Sequence, residues 1–209
     1  MYKPSHPPVR QALALLPLVV TACAAPAPRG ADPSNTPPGV TATVHEDYYD
    51  ISGATAAELA QAMREQRPKS GSGWVVATTT WEAHLDYRRR KEVYGCRANR
   101  VTLKLRFTIA LPRWQPPTEA SAELMIEWYA FLAAVRAHEE RHKEITIAQA
   151  RELIEALEKV RASSCDGLHS TVLLARQRFI DVTGELNAEY DLRTDHGGRE
   201  GVEWPPDPS

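Results

Sequence analysis

Residues 138–142 read His-Glu-Glu-Arg-His, an H-E-x-x-H pattern inside a long stretch of helical periodicity. Residues four apart on a helix share one face, with about 5–6 Å between their Cβ atoms. His138 and His142 can therefore bind one Zn²⁺, and Glu139 can act as a base toward a water that the metal activates. The pattern constrains the fold, because it requires this segment to be a helix whose histidine face points inward.

Apolar residues continue the stripe of the two histidines at helical steps, namely Trp128, Phe131, Val135 and Ile145. The alternative is a charged helix with two incidental histidines. Buried polar groups need partners, and a metal would satisfy both imidazoles at once. The sequence therefore predicts a zincin-like metal helix that holds one Zn²⁺ per chain.

The amino-terminal segment has the pattern of an export signal. Basic residues precede a short apolar run at 12–20, and Val20-Thr21-Ala22-Cys23 resembles a bacterial lipobox whose cysteine is acylated. The alternative is an ordinary signal peptide cut near Ala22 or Ala25. Residues 1–23 are thus expected to be a lipoprotein-type signal peptide. It would place the domain in the cell envelope, lipid-anchored on the periplasmic or extracytoplasmic face of a membrane.

Two cysteines remain once Cys23 is assigned to lipidation. An even pair in an oxidising compartment predicts a disulfide between Cys96 and Cys165. A role as metal ligands is the alternative, which their wide separation disfavours.

Composition divides the rest of the chain. Residues 24–39 are rich in proline and read as a linker, residues 40–202 as one zinc metallopeptidase-like domain, and residues 203–209 as a disordered tail. A formal net charge of -2 gives no signature of nucleic-acid binding.

Periodicity predicts the order β-α-β-β-α-α. Residues 75–87 and 101–111 alternate as two strands of an antiparallel hairpin, with the basic run 88–91 as its solvated tip. Thr118 is the predicted N-cap of the long helix, and a second helix follows the loop 162–167. We expect an α+β fold in which a small antiparallel sheet packs against a long helical hairpin.

Catalytic zinc needs a third protein ligand. In an antiparallel helix pair that turns near residue 164, residue 190 returns to the level of His138, and the glycines after His196 let the chain bend there. His196 is therefore the predicted third ligand, whereas His169 lies at the far tip of the pair. The alternatives are His45 and His84 on strands, and the carboxylates of Glu189, Asp191 and Asp195.

Residues 190–197 read Tyr-Asp-Leu-Arg-Thr-Asp-His-Gly. Together with H-E-x-x-H, this Y-D-x-x-T-x-H-G segment resembles an uncharacterised bacterial family, of the domain-of-unknown-function class, described as predicted secreted zinc-dependent proteases. The resemblance covers roughly residues 41–201. It implies that His138, His142 and His196 bind zinc and that Glu139 is catalytic. The family would have glutamine in place of Glu200, a departure expected to touch no proposed ligand.

The expected function is an exported, membrane-anchored zinc peptidase. Its partners would be a peptide or protein substrate, bound by strand addition, and the membrane, through the lipid anchor. Tyr190 is a candidate donor to the developing oxyanion or, alternatively, a core-facing helix residue. Asp191 could orient a ligand imidazole or only help to end the helix. The competing functions are a zinc hydrolase of another amide bond, as in cell-wall material, and a non-catalytic lipoprotein with a structural metal.

Overall fold

A computed structural model describes residues 38–66 and 75–205 of the chain. The elements are β1 (Val40–Ile51), α1 (Ala56–Gln66), β2 (Thr78–Glu92), β3 (Gly95–Trp114), α2 (Ala122–Lys159), β4 (Arg161–Ala162), α3 (Cys165–Thr194) and a 3₁₀ turn (Gly198–Glu200). This confirms the α+β class. The predicted signal peptide, Cys23 and residues 24–37 of the linker lie outside the described residues, as do residues 206–209. Within the described ranges, no helix combines the length and the apolarity that a membrane span requires.

The sheet has the strand order β1-β3-β2, and β4 pairs with the first residues of β3. As predicted, β2 and β3 form an antiparallel hairpin. The expectation of a wholly antiparallel sheet is wrong, because β1 runs parallel to β3, from Val40 beside Leu103 to Ile51 beside Trp114. The chain reverses direction twice between β1 and β3, so β3 returns in the direction of β1 and the sheet is mixed.

The basic run at 88–91 is part of the paired strand β2, next to the turn of the hairpin, and does not itself form the turn. An irregularity between Asp86 and Arg88 shifts the register, and the pairing then continues to Glu92 opposite Gly95. Val93 and Tyr94 form the turn.

The apolar face of β3 carries two core clusters. Val101, Leu103, Leu105 and Phe107 pack in one of them with residues of α2 between 150 and 157 and with α3, and Ile109, Leu111 and Trp114 pack in the other with residues of α2 between 124 and 135. The 38-residue helix α2 therefore passes from one cluster to the other. Between them it buries five polar residues, which are His138, Glu139, His142, Lys143 and Thr146. A run of buried polar groups needs partners, and it places the candidate site between the clusters.

A disulfide joins Cys96 at the start of β3 to Cys165 at the start of α3, with their Cα atoms 5.0 Å apart. This confirms the predicted pairing. It fastens the hairpin of the sheet to the helical pair across 69 residues of sequence.

The packed part of the chain extends past the predicted boundary at residue 202. The indole of Trp204 lies edge-on to Trp128, with ring centroids 5.4 Å apart, and its Nε1–H donates to the carbonyl of Ala56 at 3.0 Å. The expected tail therefore contains a partly buried residue that packs against the core.

Candidate metal centre

The helical pair returns α3 to the level of the H-E-x-x-H segment. The rings of Tyr190 and His138 stack with centroids 4.8 Å apart, and Tyr190 meets His142 edge-on at 5.1 Å. Residue 190 therefore lies at the height that the helix geometry predicts.

Three side chains converge beside this contact. His138 Nε2 and His142 Nε2 lie 3.2 Å apart, and Asp191 Oδ1 lies 3.2 Å from the first and 3.0 Å from the second. The imidazoles are buried, with 5% of His138 and 9% of His142 exposed, and they face inward as the apolar stripe predicts. This trio of His138, His142 and Asp191 could hold a metal ion.

The other ring nitrogen of each histidine is fixed by an acceptor. His138 Nδ1 lies 3.0 Å from Glu200 Oε2, and a carboxylate can only accept, so Nδ1 carries the proton. His142 Nδ1 lies 2.8 Å from Asn187 Oδ1, while Asn187 Nδ2 donates to the carbonyl of Thr183. In the neutral imidazoles, both Nε2 atoms are then lone-pair acceptors.

When both imidazoles are neutral, the trio therefore brings together three lone-pair atoms with no proton among them. Uncompensated, that arrangement is repulsive and costly in a buried place, whereas a cation satisfies all three atoms at once. Protonated histidines can take the place of that cation: burial disfavours the charge of the Asp191 carboxylate, but hydrogen bonds that His138 and His142 donate when protonated outweigh burial and hold the pKa of Asp191 well below the usual range. Asp191 is thus held as an anion, the form in which it can be a ligand.

Glu139 lies on the same helix and faces the sheet. Its Oε2 accepts a hydrogen bond of 2.6 Å from Thr79 Oγ1 of β2, and only 5% of the residue is exposed. Burial raises the pKa of the Glu139 carboxyl above its usual value, against the hydrogen bond from Thr79 and the attraction of the two imidazoles. A carboxyl shifted in this direction is better suited to both accept and return a proton near neutral pH.

A cavity of about 340 Å³ opens onto the trio. One wall is the segment 75–81, which runs into β2, and the opposite wall carries His138, Glu139 and His142 of α2. β2 pairs only with β3 in the part of the chain that the structure describes, so it is an edge strand.

His196 also lines this cavity but stands outside the trio. Its Nδ1 lies 3.9 Å from Asp191 Oδ1, and its side chain is 56% exposed. The glycines beyond it do turn the chain inward: Gly197 has φ +86°, and a Cβ there would lie 2.7 Å from Val202 Cγ2 and 3.2 Å from His138 Cγ. The structure thus brings Asp191, one of the carboxylate alternatives, to the position predicted for His196, whose role as a ligand stays a prediction.

Tyr190 is not among the residues that line the cavity. Its hydroxyl donates to Glu200 Oε2 at 2.7 Å, the same oxygen that accepts from His138, and the residue is buried. This placement fits the alternative of a core-facing helix residue, and a catalytic role for Tyr190 stays a prediction.

The other histidines lie away from the centre. The side chains of His45 and His84 are largely exposed and pair with Asp47 and Asp86 on their own strands. His169 Nδ1 lies 2.8 Å from the hydroxyl of Tyr87.

Sequence reasoning missed Asn187 and Thr79, and it misjudged Glu200. The expectation that the departure at Glu200 touches no proposed ligand is wrong, because this carboxylate orients His138. Asn187 could have been found, since it lies one helical turn before Asp191 on the same face. No local pattern marks Thr79, because its role depends on how β2 lies against α2.

Residues 46–197, more than two thirds of the chain, match the model of a family described as "Bacterial protein of unknown function (DUF922)". No curated protein and no solved structure matches the chain.

Proposed function

We propose that this chain, which belongs to the DUF922 family of bacterial proteins of unknown function, is an exported zinc-dependent peptidase. The observation that carries the proposal is the trio of His138, His142 and Asp191, whose lone-pair atoms lie 3.0–3.2 Å from one another. Tetrahedral zinc with bonds of about 2.0–2.1 Å places neighbouring ligand atoms about 3.3 Å apart. The donor set fits that ion closely.

His138, His142 and Asp191 would hold the ion, with Glu200 and Asn187 orienting the two imidazoles. Bound zinc would supply a Lewis acid that polarises a carbonyl and lowers the pKa of a water. Glu139 is the proton carrier: its carboxylate takes a proton from the attacking water and passes one to the leaving amine. Thr79 holds that carboxylate against the sheet, so it needs little reorganisation during the reaction.

The cavity wall favours a peptide as the substrate. An extended peptide can add to an exposed sheet edge through main-chain hydrogen bonds. Segment 75–81 combines an edge-strand position with a place opposite Glu139 and the trio. A substrate strand docked along it would bring a peptide bond to the metal ligands.

Two features support export. Disulfides persist in oxidising compartments, and the Cys96–Cys165 bridge is of that kind. The lipobox at Cys23 adds a membrane anchor to the proposal.

One observation favours a different function. His196 lies beside the trio, and a fourth protein ligand would close the coordination of the ion. Closed four-ligand sites are typical of structural zinc, and catalytic sites keep one position open. A non-catalytic lipoprotein with a structural metal is therefore the second candidate.

The test joins zinc content to hydrolysis. We expect close to one zinc per purified chain, and cleavage of a degenerate peptide library that is lost in Glu139→Gln with the zinc retained. Glu144→Gln is the matched control, since it removes an exposed carboxylate five residues further along the same helix. Absence of zinc even after its addition, or equal cleavage by Glu139→Gln, would contradict the peptidase. If wild type held one zinc per chain but neither it nor any variant hydrolysed the library, the result would favour a non-catalytic protein with a structural metal.

A further inference from the structure

The β2–β3 hairpin ends in two exposed apolar residues. Val93 is 88% and Tyr94 96% exposed, and together they form the turn. β1 begins only at the level of Leu103, so at this end the hairpin extends beyond β1 and only the short strand β4 lies beside it. We call residues 88–97 the tip.

The tip is strongly cationic in a chain whose formal net charge is -2. It carries five basic side chains and one acidic one, Glu92, the basic ones being Arg88, Arg89, Arg90, Lys91 and Arg97. Successive side chains of a strand point to opposite faces, so the run at 88–91 places positive charge on both faces of the hairpin. Basic side chains therefore lie on both faces of the hairpin, next to Val93 and Tyr94.

Nearby acidic groups leave most of this charge uncompensated. Glu92 pairs with Arg97 at 2.9 Å and lies 3.7 Å from Arg161, and Arg89 reaches Asp166 only at 4.0 Å. Within residues 38–66 and 75–205, no ion pair involves Arg88, Arg90 or Lys91.

The tip is also held in place. Cys96 is bonded to Cys165 of α3 and pairs with Ala162 of β4. Gly95, with φ +127°, lets β4 approach, because a Cβ there would lie 2.1 Å from the Ala162 carbonyl oxygen. A docking element fixed in this way loses little conformational entropy when it binds.

We propose that this tip docks the domain onto an anionic lipid surface. Tyrosine is enriched at the membrane–water interface, and basic side chains next to it are attracted by anionic headgroups. An exposed turn that is apolar at its point and basic behind it matches a fluid surface that can deform around it. A folded protein partner would instead have to offer an acidic pocket with an apolar floor.

The path of the chain agrees with this orientation. Because β1 is parallel to β3, Val40 is the residue of β1 nearest to the tip. The sixteen residues from 24 to 39 span at most about 55 Å, and about 27 Å separates the level of Leu103 from Gly95. An anchor at Cys23 and the tip can therefore reach the same surface. The docking does not depend on the proposed peptidase activity.

Vesicle binding by the full chain tests the proposal. All proteins carry Cys23→Ser, so that none is acylated. Because they share the same amino-terminal segment, its contribution to vesicle binding is the same in every variant. We expect tighter, salt-sensitive binding to vesicles that contain phosphatidylglycerol than to pure phosphatidylcholine vesicles. Arg90→Glu with Lys91→Glu should weaken binding to the anionic vesicles by tenfold or more. Each positive charge near the surface contributes on the order of fivefold to the affinity, and the variant removes two such charges and adds two negative ones. Val93→Ser with Tyr94→Ser should weaken it as well.

The matched control is Lys104→Glu with Arg176→Glu, the same charge change at exposed positions outside the tip. It should bind anionic vesicles far better than the tip variant. Amide hydrogen exchange gives a second readout, in which anionic vesicles should slow exchange at Val93 and Tyr94 and phosphatidylcholine vesicles should not. Equal binding by the tip and control variants, or unchanged exchange at the turn of vesicle-bound protein, would overturn the proposal. The proposal would also be overturned if the protein bound a soluble polyanion as tightly as it binds the anionic vesicles and if this binding were unchanged in Val93→Ser with Tyr94→Ser.

Discussion

Asp191 and His196 compete for the third position at the proposed zinc. The structure places Asp191 Oδ1 against both imidazoles, whereas His196 lies 3.9 Å away from that oxygen. We expect Asp191→Ala to weaken zinc binding by more than about 100-fold, since losing a ligand should cost more than the 10–100-fold of an outer-shell change. Competition with a chelator of known affinity measures the loss in each variant.

His196→Ala and His169→Ala complete that experiment. His169 contacts Tyr87 far from the centre, so its replacement should leave zinc affinity unchanged. A loss in His196→Ala as large as that in Asp191→Ala would instead confirm the sequence-based assignment of His196.

Glu200 is the acceptor that fixes the tautomer of His138. We expect Glu200→Ala to lower zinc affinity by about 10–100-fold, because the imidazole loses its orienting partner. Glu200→Gln should lose less than about tenfold, since an amide oxygen can still accept from Nδ1–H. The same chelator competition measures both variants. Equal losses would mean that the charge of Glu200, and not its acceptor geometry, is what His138 requires.

The sequence predicts the part of the site that is local. His138, Glu139 and His142 follow from the spacing of one helix, and the level of residue 190 follows from the rise of two helices. The third donor and Glu200 lie where α3 ends and the chain turns back. The placement of Glu200 depends on the positive φ angles of Asp195, His196 and Gly197, which no periodicity encodes. For Asp191, periodicity does not decide which side chain in the last turns of α3 reaches the two imidazoles.

The start of α2 offers a direct test of an element boundary. Sequence reasoning placed the N-cap at Thr118, but Ser121 Oγ accepts from the backbone N–H of Leu124 at 3.1 Å, and the helix begins at Ala122. The Ala120 N–H instead donates to the Pro117 carbonyl, so a turn occupies the expected first residues. The prediction of Thr118 is therefore wrong.

We expect Ser121→Ala to lower the free energy of unfolding by about 1 kcal/mol, the usual cost of losing an N-cap. Thr118→Ala, at an exposed position, should change it by less than about 0.5 kcal/mol. Urea denaturation of the two variants measures the difference. A larger effect at Thr118 than at Ser121 would contradict the boundary seen in the structure.

Elements that depend on short-range patterns were predicted well. The two alternating strands and both long helices are all present. The direction of β1 was not predictable in the same way. It follows from the pairing of β1 with β3 and not with β2, a choice made by contacts between residues more than sixty positions apart.

At the scale of the whole molecule, the disulfide joins the sheet to the helical pair. Replacing Cys96 and Cys165 by serine removes a closed loop of 69 residues, which in the chain-entropy model lowers the free energy of unfolding by about 4 kcal/mol. The bridge contacts none of the trio, so zinc content should persist. Chemical denaturation with and without reductant measures the loss, and wild type in reductant should match the double variant. Equal stability of all forms would show that the bridge is not formed in solution.

The order in which the chain is synthesised determines when the centre can form. His138 is synthesised 62 residues before the carboxylate that orients it, an interval of about 3–12 s at ordinary rates of translation. A chain that leaves the ribosome or crosses a membrane amino end first thus presents the H-E-x-x-H helix well before its partners on α3 and beyond. Because the proposed zinc centre uses Asp191 and Glu200, it can assemble only after α3 and the turn beyond it have been synthesised.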